Sequence, residues 1–370
     1  MRVGLLPALG GSIRALAQTG QRSRLIDGYF RPYLRAFDGL TYVSYLPETL
    51  AELTDDATLR ERVRVLAPAG PISRGRRAVQ IPFLHAAALR ECAALRVFQI
   101  TGVIPALIAQ RRFGIPYVTT YGFWYAALSQ PGPKRVLKGL VERLGLKHAA
   151  AVIATTPELA ARASRLARRV ELIPNGVDTT LFRPAASPPT NEPKRILYVG
   201  RLSAEKNLST IVTATGYVGD GAKVVMVGSG ALKDGLEAQA KKSGVVVDFP
   251  GVVDQRRLPE VYASADVFVL ASFTEGHPKV LLEAMACGVP CVASDCAGNR
   301  SLVTDGRTGL LFDPHEPKHL ADCLQRVLKD PALARRLAET ARAEIVARYD
   351  LRELVEREIA LVRQVAGAGG

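Results

Sequence analysis

Residues 275–290 read Glu275-Gly276-His277-Pro278-Lys279-Val280-Leu281-Leu282-Glu283-Ala284-Met285-Ala286-Cys287-Gly288-Val289-Pro290, with two carboxylates separated by seven residues across a turn and a helix start. Gly276 permits close backbone approach, Pro278 suits the first position of a helix, and Val280 through Cys287 is apolar everywhere except at Glu283. A charge in such a run needs a partner. With Glu275 in the loop and Glu283 on the helix, the helical rise holds the carboxylates on the order of 10 Å apart. A nucleotide-sugar fits that span, with hydroxyls at both ends and a pyrophosphate between them near the free N–H groups of the helix start. The competing reading makes Lys279 and Glu283 an i,i+4 pair on a wet helix face.

Upstream, Arg195-Ile196-Leu197-Tyr198-Val199-Gly200-Arg201-Leu202-Ser203-Ala204-Glu205-Lys206-Asn207 reads as a buried strand, Ile196 to Gly200, followed by a loop and a helix that Asn207 can cap. Arg201 and Lys206 then sit at the carboxyl edge of a parallel sheet, where ligands collect. Arg offers a fork of donors and Lys a point charge, and both suit a pyrophosphate. The plain alternative is a pair of solvated surface cations. Two Gly-rich turns, Gly10-Gly11-Ser12 and Gly228-Ser229-Gly230, each follow a strand and open a helix. Neither completes Gly-x-Gly-x-x-Gly, since Lys233 stands where the last Gly would be, so nicotinamide binding is disfavoured; both also read as ordinary strand-to-helix turns. Asn175-Gly176 follows Leu172-Ile173-Pro174 and reads as a tight turn at a domain junction.

A chain of 370 residues, 48% hydrophobic, is long for one core and suits two α/β domains. Apolar strands are readable at Val3–Leu6, Leu40–Leu46, Val63–Leu66, Arg96–Ile100, Tyr117–Tyr121, Ala151–Thr155 and Val170–Ile173. The pattern recurs at Ile196–Gly200, Lys223–Gly228, Val245–Phe249, Asp266–Ala271 and Cys291–Ser294. Strand–helix alternation implies parallel sheets. The expected division is a first domain over 1–183, a Pro-rich linker over 184–194, a second domain over 195–350 and a terminal helix over 351–370.

Cys92, Cys287, Cys291, Cys296 and Cys323 form an odd set without Cys-x-x-Cys, which reads as buried free thiols. His315 and His319 are the one i,i+4 His pair, and they read as part of a surface helix start. No apolar run reaches the ~20 residues needed to cross a bilayer, and Met1 to Pro7 reads as a strand and not a signal peptide. The expected location is cytoplasmic. Charge is lopsided: residues 1–190 hold 26 Lys and Arg against 12 Asp and Glu, whereas 191–370 hold 23 of each. Arg22, Arg24, Arg31 and Arg35 lie among Tyr29, Phe30, Tyr33, Leu34 and Phe37, while Lys134, Arg135, Lys138, Arg143 and Lys147 line a second helical stretch. Such stretches suit an anionic membrane surface on its inner face, or a lipid-phosphate acceptor. Nucleic acid is the weaker partner, because no nucleic-acid-binding signature accompanies the charge, and ordinary solubilising charge is the bland reading.

The stretches at 195–207 and 275–290, with Gly288-Val289-Pro290-Cys291-Val292-Ala293-Ser294 and Asp305-Gly306-Arg307-Thr308-Gly309-Leu310-Leu311 downstream, resemble the retaining GT-B glycosyltransferases of family four and their Glu-x7-Glu signature. The resemblance is specific over about residues 195–313. It implies an α/β fold of two Rossmann-like, doubly wound domains facing a cleft, with the last helix, near Leu351 to Val365, crossing back onto the first domain. It also implies transfer of a sugar from a nucleoside-diphosphate sugar, UDP-sugar first, to a hydroxyl of a glycan or lipid-linked acceptor, with no cofactor. Arg201, Lys206 and Glu275 take the catalytic positions. Gly200, Gly228, Gly230, Gly276, His277, Pro278, Lys279, Val280 and Glu283 take the donor-binding ones, and Gly10, Gly11, Tyr121 and Asn175 are candidates for acceptor or sugar contact. The Asp-x-Asp of metal-dependent relatives is absent, so a metal-independent reaction is expected. This chain departs from the family pattern where a sugar-contacting His usually follows the strand at 117–121: Tyr121 holds the nearest place. Ser301 stands where many members have Glu, and His277 replaces a common Phe. Those departures keep open a non-catalytic nucleotide-binding partner in glycan assembly, with a GT-B epimerase or phosphorylase as the enzymatic alternative.

Overall fold

The computed structural model describes residues 1–70, 72–124, 132–187, 189–219 and 221–368. Its chain divides into two compact units, Met1–Pro174 together with Glu353–Gly370, and Asn175–Arg352. The first carries strands β1 (Arg2–Leu6), β2 (Gly39–Val43), β3 (Val63–Leu66), β4 (Cys92–Val97), β5 (Tyr117–Tyr121), β6 (Ala151–Ala154) and β7 (Val170–Leu172). They form one parallel sheet in the order β3-β2-β1-β4-β5-β6-β7. Helices α1 (Ile13–Gln18), α2 (Arg74–Leu84), α3 (Ile104–Phe113), α4 (Pro133–Lys147) and α5 (Pro157–Ala163) lie between the strands. The apolar run of β6, and β2 with Thr41 as its polar residue, are buried along their whole length, as a sheet covered on both faces requires.

The second unit repeats the design with β8 (Lys194–Val199), β9 (Ala222–Val227), β10 (Val247–Gly251), β11 (Val267–Leu270), β12 (Cys291–Ser294) and β13 (Leu310–Phe312), parallel in the order β10-β9-β8-β11-β12-β13. The helices that matter for its site are α6 (Leu208–Val218), α7 (Lys233–Ser243) and α8 (Lys279–Ala286). The last helix, α9 (Leu351–Gly367), counts with the first unit from Glu353 onward.

The structure departs from sequence expectation in places with a physical cause. The strand expected at Arg96–Ile100 runs instead over Cys92–Val97, because Arg96 is tolerated inside the sheet by a buried partner. Arg96 donates to Glu358 Oε2 of α9 at 2.8 Å and to Thr120 Oγ1 at 2.7 Å, and Tyr33 donates to Glu358 Oε1 at 2.6 Å. The Pro-rich stretch 184–194 lies inside the second unit: Phe182 just before it is buried in that core, and Asn191 Nδ2 donates to Asp266 at 2.8 Å. Pro188 of that stretch, and residues 369–370 of the expected terminal helix, lie outside the described residues. Phe30, Tyr33, Leu34 and Phe37, expected to flank a basic surface, are buried. All five cysteines are buried thiols. Among the described residues no helix is long and apolar enough to cross a membrane.

Candidate functional site

Parallel strands end with their carbonyl edges aligned, so loops leaving that edge share one rim. In the second unit the loops after β8, β9 and β11 are tied there. Gly200 N donates to Val227 O and Leu202 N to Ser229 O, both at 2.9 Å, and Phe273 N donates to Glu205 O at 3.0 Å. Gly228, at φ +138°, lies so close to the first loop that an added Cβ would fall 1.9 Å from Gly200 O; at Gly230 it would fall 2.2 Å from Leu202 O. The Gly-rich turn is therefore a packing requirement of the rim.

The bond from Phe273 to Glu205 brings the short 3₁₀ turn Ala204–Lys206 against the loop that carries Glu275. Lys206 Nζ donates to Glu275 Oε1 at 2.6 Å, with the two side chains only 17% and 12% exposed. Ser272 Oγ donates to the same oxygen at 2.6 Å. A half-buried ammonium and carboxylate held this way are positioned charges, screened little by solvent. Arg201, the other cation, leaves the same rim, but its side chain is 77% exposed and pairs with Glu205 at 3.2 Å. Its carbonyl accepts from the Tyr198 hydroxyl at 2.8 Å. Burial first, and then the nearby Glu275 and Glu205 carboxylates, push that phenol well up, so it stays a donor.

Gly276 and His277 lead from Glu275 into α8. Pro278 is the N-cap and Lys279 and Val280 open the helix, one position later than the sequence suggests, and no side chain caps the first turn. Asn175 Nδ2 donates to His277 O at 2.7 Å, which braces this turn from a point far away in sequence. His277 itself is buried beside Tyr349, ring centroids 5.5 Å apart, and its Nδ1 has no partner. Burial, with Lys279 adding to it, pushes its imidazole down to about 4. Glu283 is only 1% exposed and accepts from the Tyr262 hydroxyl at 3.0 Å. The structure thus brings Lys206, Glu275 and the Arg201 loop together, and turns the Glu283 carboxylate into the core. Asn207 keeps the N-cap position of α6 in a left-handed conformation, φ 53°, but its side chain donates to Pro314 O at 2.8 Å and makes no capping bond.

Gly10, Gly11 and Tyr121 belong to the other unit. Tyr121 is fully buried, donating to Glu142 Oε1 at 2.9 Å and accepting from Arg162 Nε at 3.0 Å, and burial followed by the Glu142 carboxylate pushes its phenol up. After Gly10 and Gly11, the first amides of α1 are taken by Glu48, whose carboxylate accepts from Ile13 N at 3.0 Å and Arg14 N at 2.8 Å. Glu48, Ser272 and Gly298 were not singled out from sequence. Gly298 sits where a Cβ would fall 2.4 Å from Glu275 O, a contact that no local spacing announces. A cavity of about 720 Å³ also opens beside the Glu275 loop, walled by Thr274, Asp295, Asp313 and a Phe273–His315 stack; it includes none of the residues expected from sequence. Among the described residues no group of three or more His, Cys, Asp or Glu side chains could hold a metal ion.

Two family models match adjoining parts of the chain: Glycosyltransferase Family 4 over residues 43–181 and Glycosyl transferases group 1 over residues 182–344. The glycogen synthase of Mycobacterium tuberculosis is 34% identical over 186 residues, 49% of this chain and 45% of that protein. A D-inositol 3-phosphate glycosyltransferase of an Arthrobacter species is 30% identical over 262 residues, 64% of this chain and 62% of that protein. The chain spans about half the length of the curated relatives it matches. Among solved structures, sucrose-phosphate synthase from Thermosynechococcus elongatus matches with a TM-score of 0.81 at 23% identity, over 100% of both chains. Anabaena HepE in complex with UDP-glucose matches with a TM-score of 0.79 at 20% identity, over 98% of this chain and 99% of that one.

Proposed function

Because this chain belongs to the family-four type of glycosyltransferases with the GT-B fold, we propose that it moves a sugar from a nucleoside-diphosphate sugar to an acceptor hydroxyl with retention of configuration. The observation that carries this reading is the Lys206–Glu275 pair at the carboxyl edge of the second parallel sheet, beside the uncapped start of α8. As the bond from sugar to leaving phosphate opens, negative charge grows on the phosphate oxygens. Lys206, the exposed Arg201 fork and the first amides of α8 are the groups that would meet it. Glu275 sets the ammonium in place and can accept from sugar hydroxyls with its second oxygen. The acceptor hydroxyl enters from the face the phosphate leaves, and the phosphate takes its proton, so the protein contributes chiefly positioning and charge.

Uridine is proposed as the base, supported at the level of fold by the UDP-glucose complex of HepE. No metal is assigned in this reading, since Lys206 and Arg201 supply the positive charge. The excess of cations in residues 1–190 supports an acceptor that is a surface glycan or glycolipid, and a peripheral place on an anionic membrane. Glu283 would reach a ribose only if Tyr262 released it, so its expected role is to hold α8 in place.

Incubation with a panel of nucleotide-sugars, with and without lipid extract, reads this directly as released nucleotide. The expected result is turnover with one donor class, and Lys206→Ala lowering kcat by about 100-fold or more while nucleotide affinity changes little. Nucleotide binding with no turnover on any donor would favour the non-catalytic assembly partner. Parent-like turnover in Lys206→Ala would remove the site assignment.

A further inference from the structure

Helices on the surface of a globular protein turn their apolar stripe inward. Helix α4 does the reverse. Its inward side is fixed by Glu142, Gly145 and Leu146, all buried; Tyr117 donates to Gly145 O at 2.7 Å and Tyr121 to Glu142. At 3.6 residues per turn, Val136, Leu137, Leu140 and Leu144 gather on the opposite side. Val136 is 73% exposed, Leu137 62% and Leu140 52%. Five cations are exposed on the same helix: Lys134, Arg143 and Lys147 flank that stripe, whereas Arg135 and Lys138 share the side of Glu142, the helix's single acid, which is turned inward. Helix α2, in the same helical layer beside α3, shows the combination again: Val79, Phe83 and Leu84 are exposed, and the Arg112 guanidinium of α3 lies 5.1 Å from the Phe83 ring centroid.

From these observations we infer that the outer face of α4 is an interfacial anchor for an anionic lipid bilayer. This deepens the membrane reading above and rests on it. The leucines and valine enter the boundary between headgroups and acyl chains, and the flanking Lys134, Arg143 and Lys147 meet lipid phosphates. Charge complementarity decides the occupant. An apolar protein partner would satisfy the stripe alone, whereas the cations that flank it, Lys134, Arg143 and Lys147, in the half of the chain that holds the whole positive excess, ask for a dense anionic surface. The other basic stretch, at 22–37, does not compete, because its aromatic side chains are spent on the core.

The test is flotation of the full chain with phosphatidylcholine vesicles, pure or carrying about 30% phosphatidylglycerol, at low salt and at high salt. The parent is expected to float with the anionic vesicles only, and to be released by salt. Both Val136→Ser/Leu137→Ser/Leu140→Ser and Arg143→Glu/Lys147→Glu are expected to lower the bound fraction roughly tenfold. Their melting temperature and UDP affinity should be those of the parent, since every altered side chain is exposed. If the parent ignores anionic vesicles, the membrane reading and this anchor fall together. If the parent floats and both variants float equally well, the anchor alone falls. A lipid-free dimer by light scattering, dissolved by the serine variant, would overturn the lipid assignment in favour of a second copy of this chain.

Discussion

At the scale of single residues, the site is built from contacts that admit no larger atom and from charges that meet before any substrate does. Gly228 is the clearest case, because its backbone conformation and the 1.9 Å approach of a built Cβ to Gly200 O both forbid a side chain. Gly228→Ala is expected to push the two rim loops apart, costing about 1–3 kcal/mol of stability and lowering nucleotide affinity about tenfold. Titration with UDP and a urea unfolding curve check the two parts separately. His277 gives a pH signature. Its buried imidazole titrates at about 4, against about 6.5 in an unfolded chain, so as pH falls the unfolded state binds the proton first. Its contribution to stability is complete above pH ~6.5 and is lost on the way down to pH ~4, by up to about 1.4 kcal/mol per unit. His277→Phe removes that dependence and leaves no ring nitrogen without a partner. The urea midpoint of the variant should therefore fall less than the parent's between pH 7 and pH 5; coincident slopes would show that the imidazole is not held neutral.

At the scale of elements, the Arg96–Glu358 pair joins β4 to α9 inside the first unit, with side chains 3% and 7% exposed. Removing one partner strands the other charge, so Glu358→Ala is expected to cost about 3–5 kcal/mol, read as a lowered melting temperature. Arg96→Met combined with Glu358→Leu should recover most of that loss, because an apolar pair carries no desolvation penalty. This pair also explains why the sequence pattern puts the start of β4 too late. Cys92-Ala93-Ala94 lacks the branched residues that mark a strand, and an Arg inside a sheet is credible only once its distant carboxylate is known. Strands with branched runs, such as β3 and β5, are legible with their bounds. The three residues of β13 were too short to register as a strand. The candidate site divides the same way. Glu275 and Lys206 were visible from motif spacing, and the structure pairs them. Ser272, Gly298 and the brace from Asn175 to His277 depend on loop packing and leave no periodic trace.

At the scale of the whole molecule, the chain completes one unit only by returning to it. The second unit is a continuous stretch, Asn175–Arg352, whereas the first needs Glu353 onward to be whole. From that last segment Leu354, Val355, Ile359, Leu361, Val362 and Val365 are buried, and Glu358 neutralises Arg96. Fully burying side chains of this kind is worth about 1.5–3 kcal/mol each before entropy is counted, so their loss exceeds what a domain of this size holds in reserve. Ending the chain at Arg352 is therefore expected to unfold the first unit and spare the second. Calorimetry should replace the parent's profile with one transition of roughly half the enthalpy, and UDP should raise its midpoint, because the rim carrying Lys206 and Glu275 lies wholly in the spared unit. A truncated chain that keeps both transitions would show that α9 is dispensable to the first unit. A remaining transition that UDP leaves unmoved would instead place nucleotide affinity outside the Lys206–Glu275 rim.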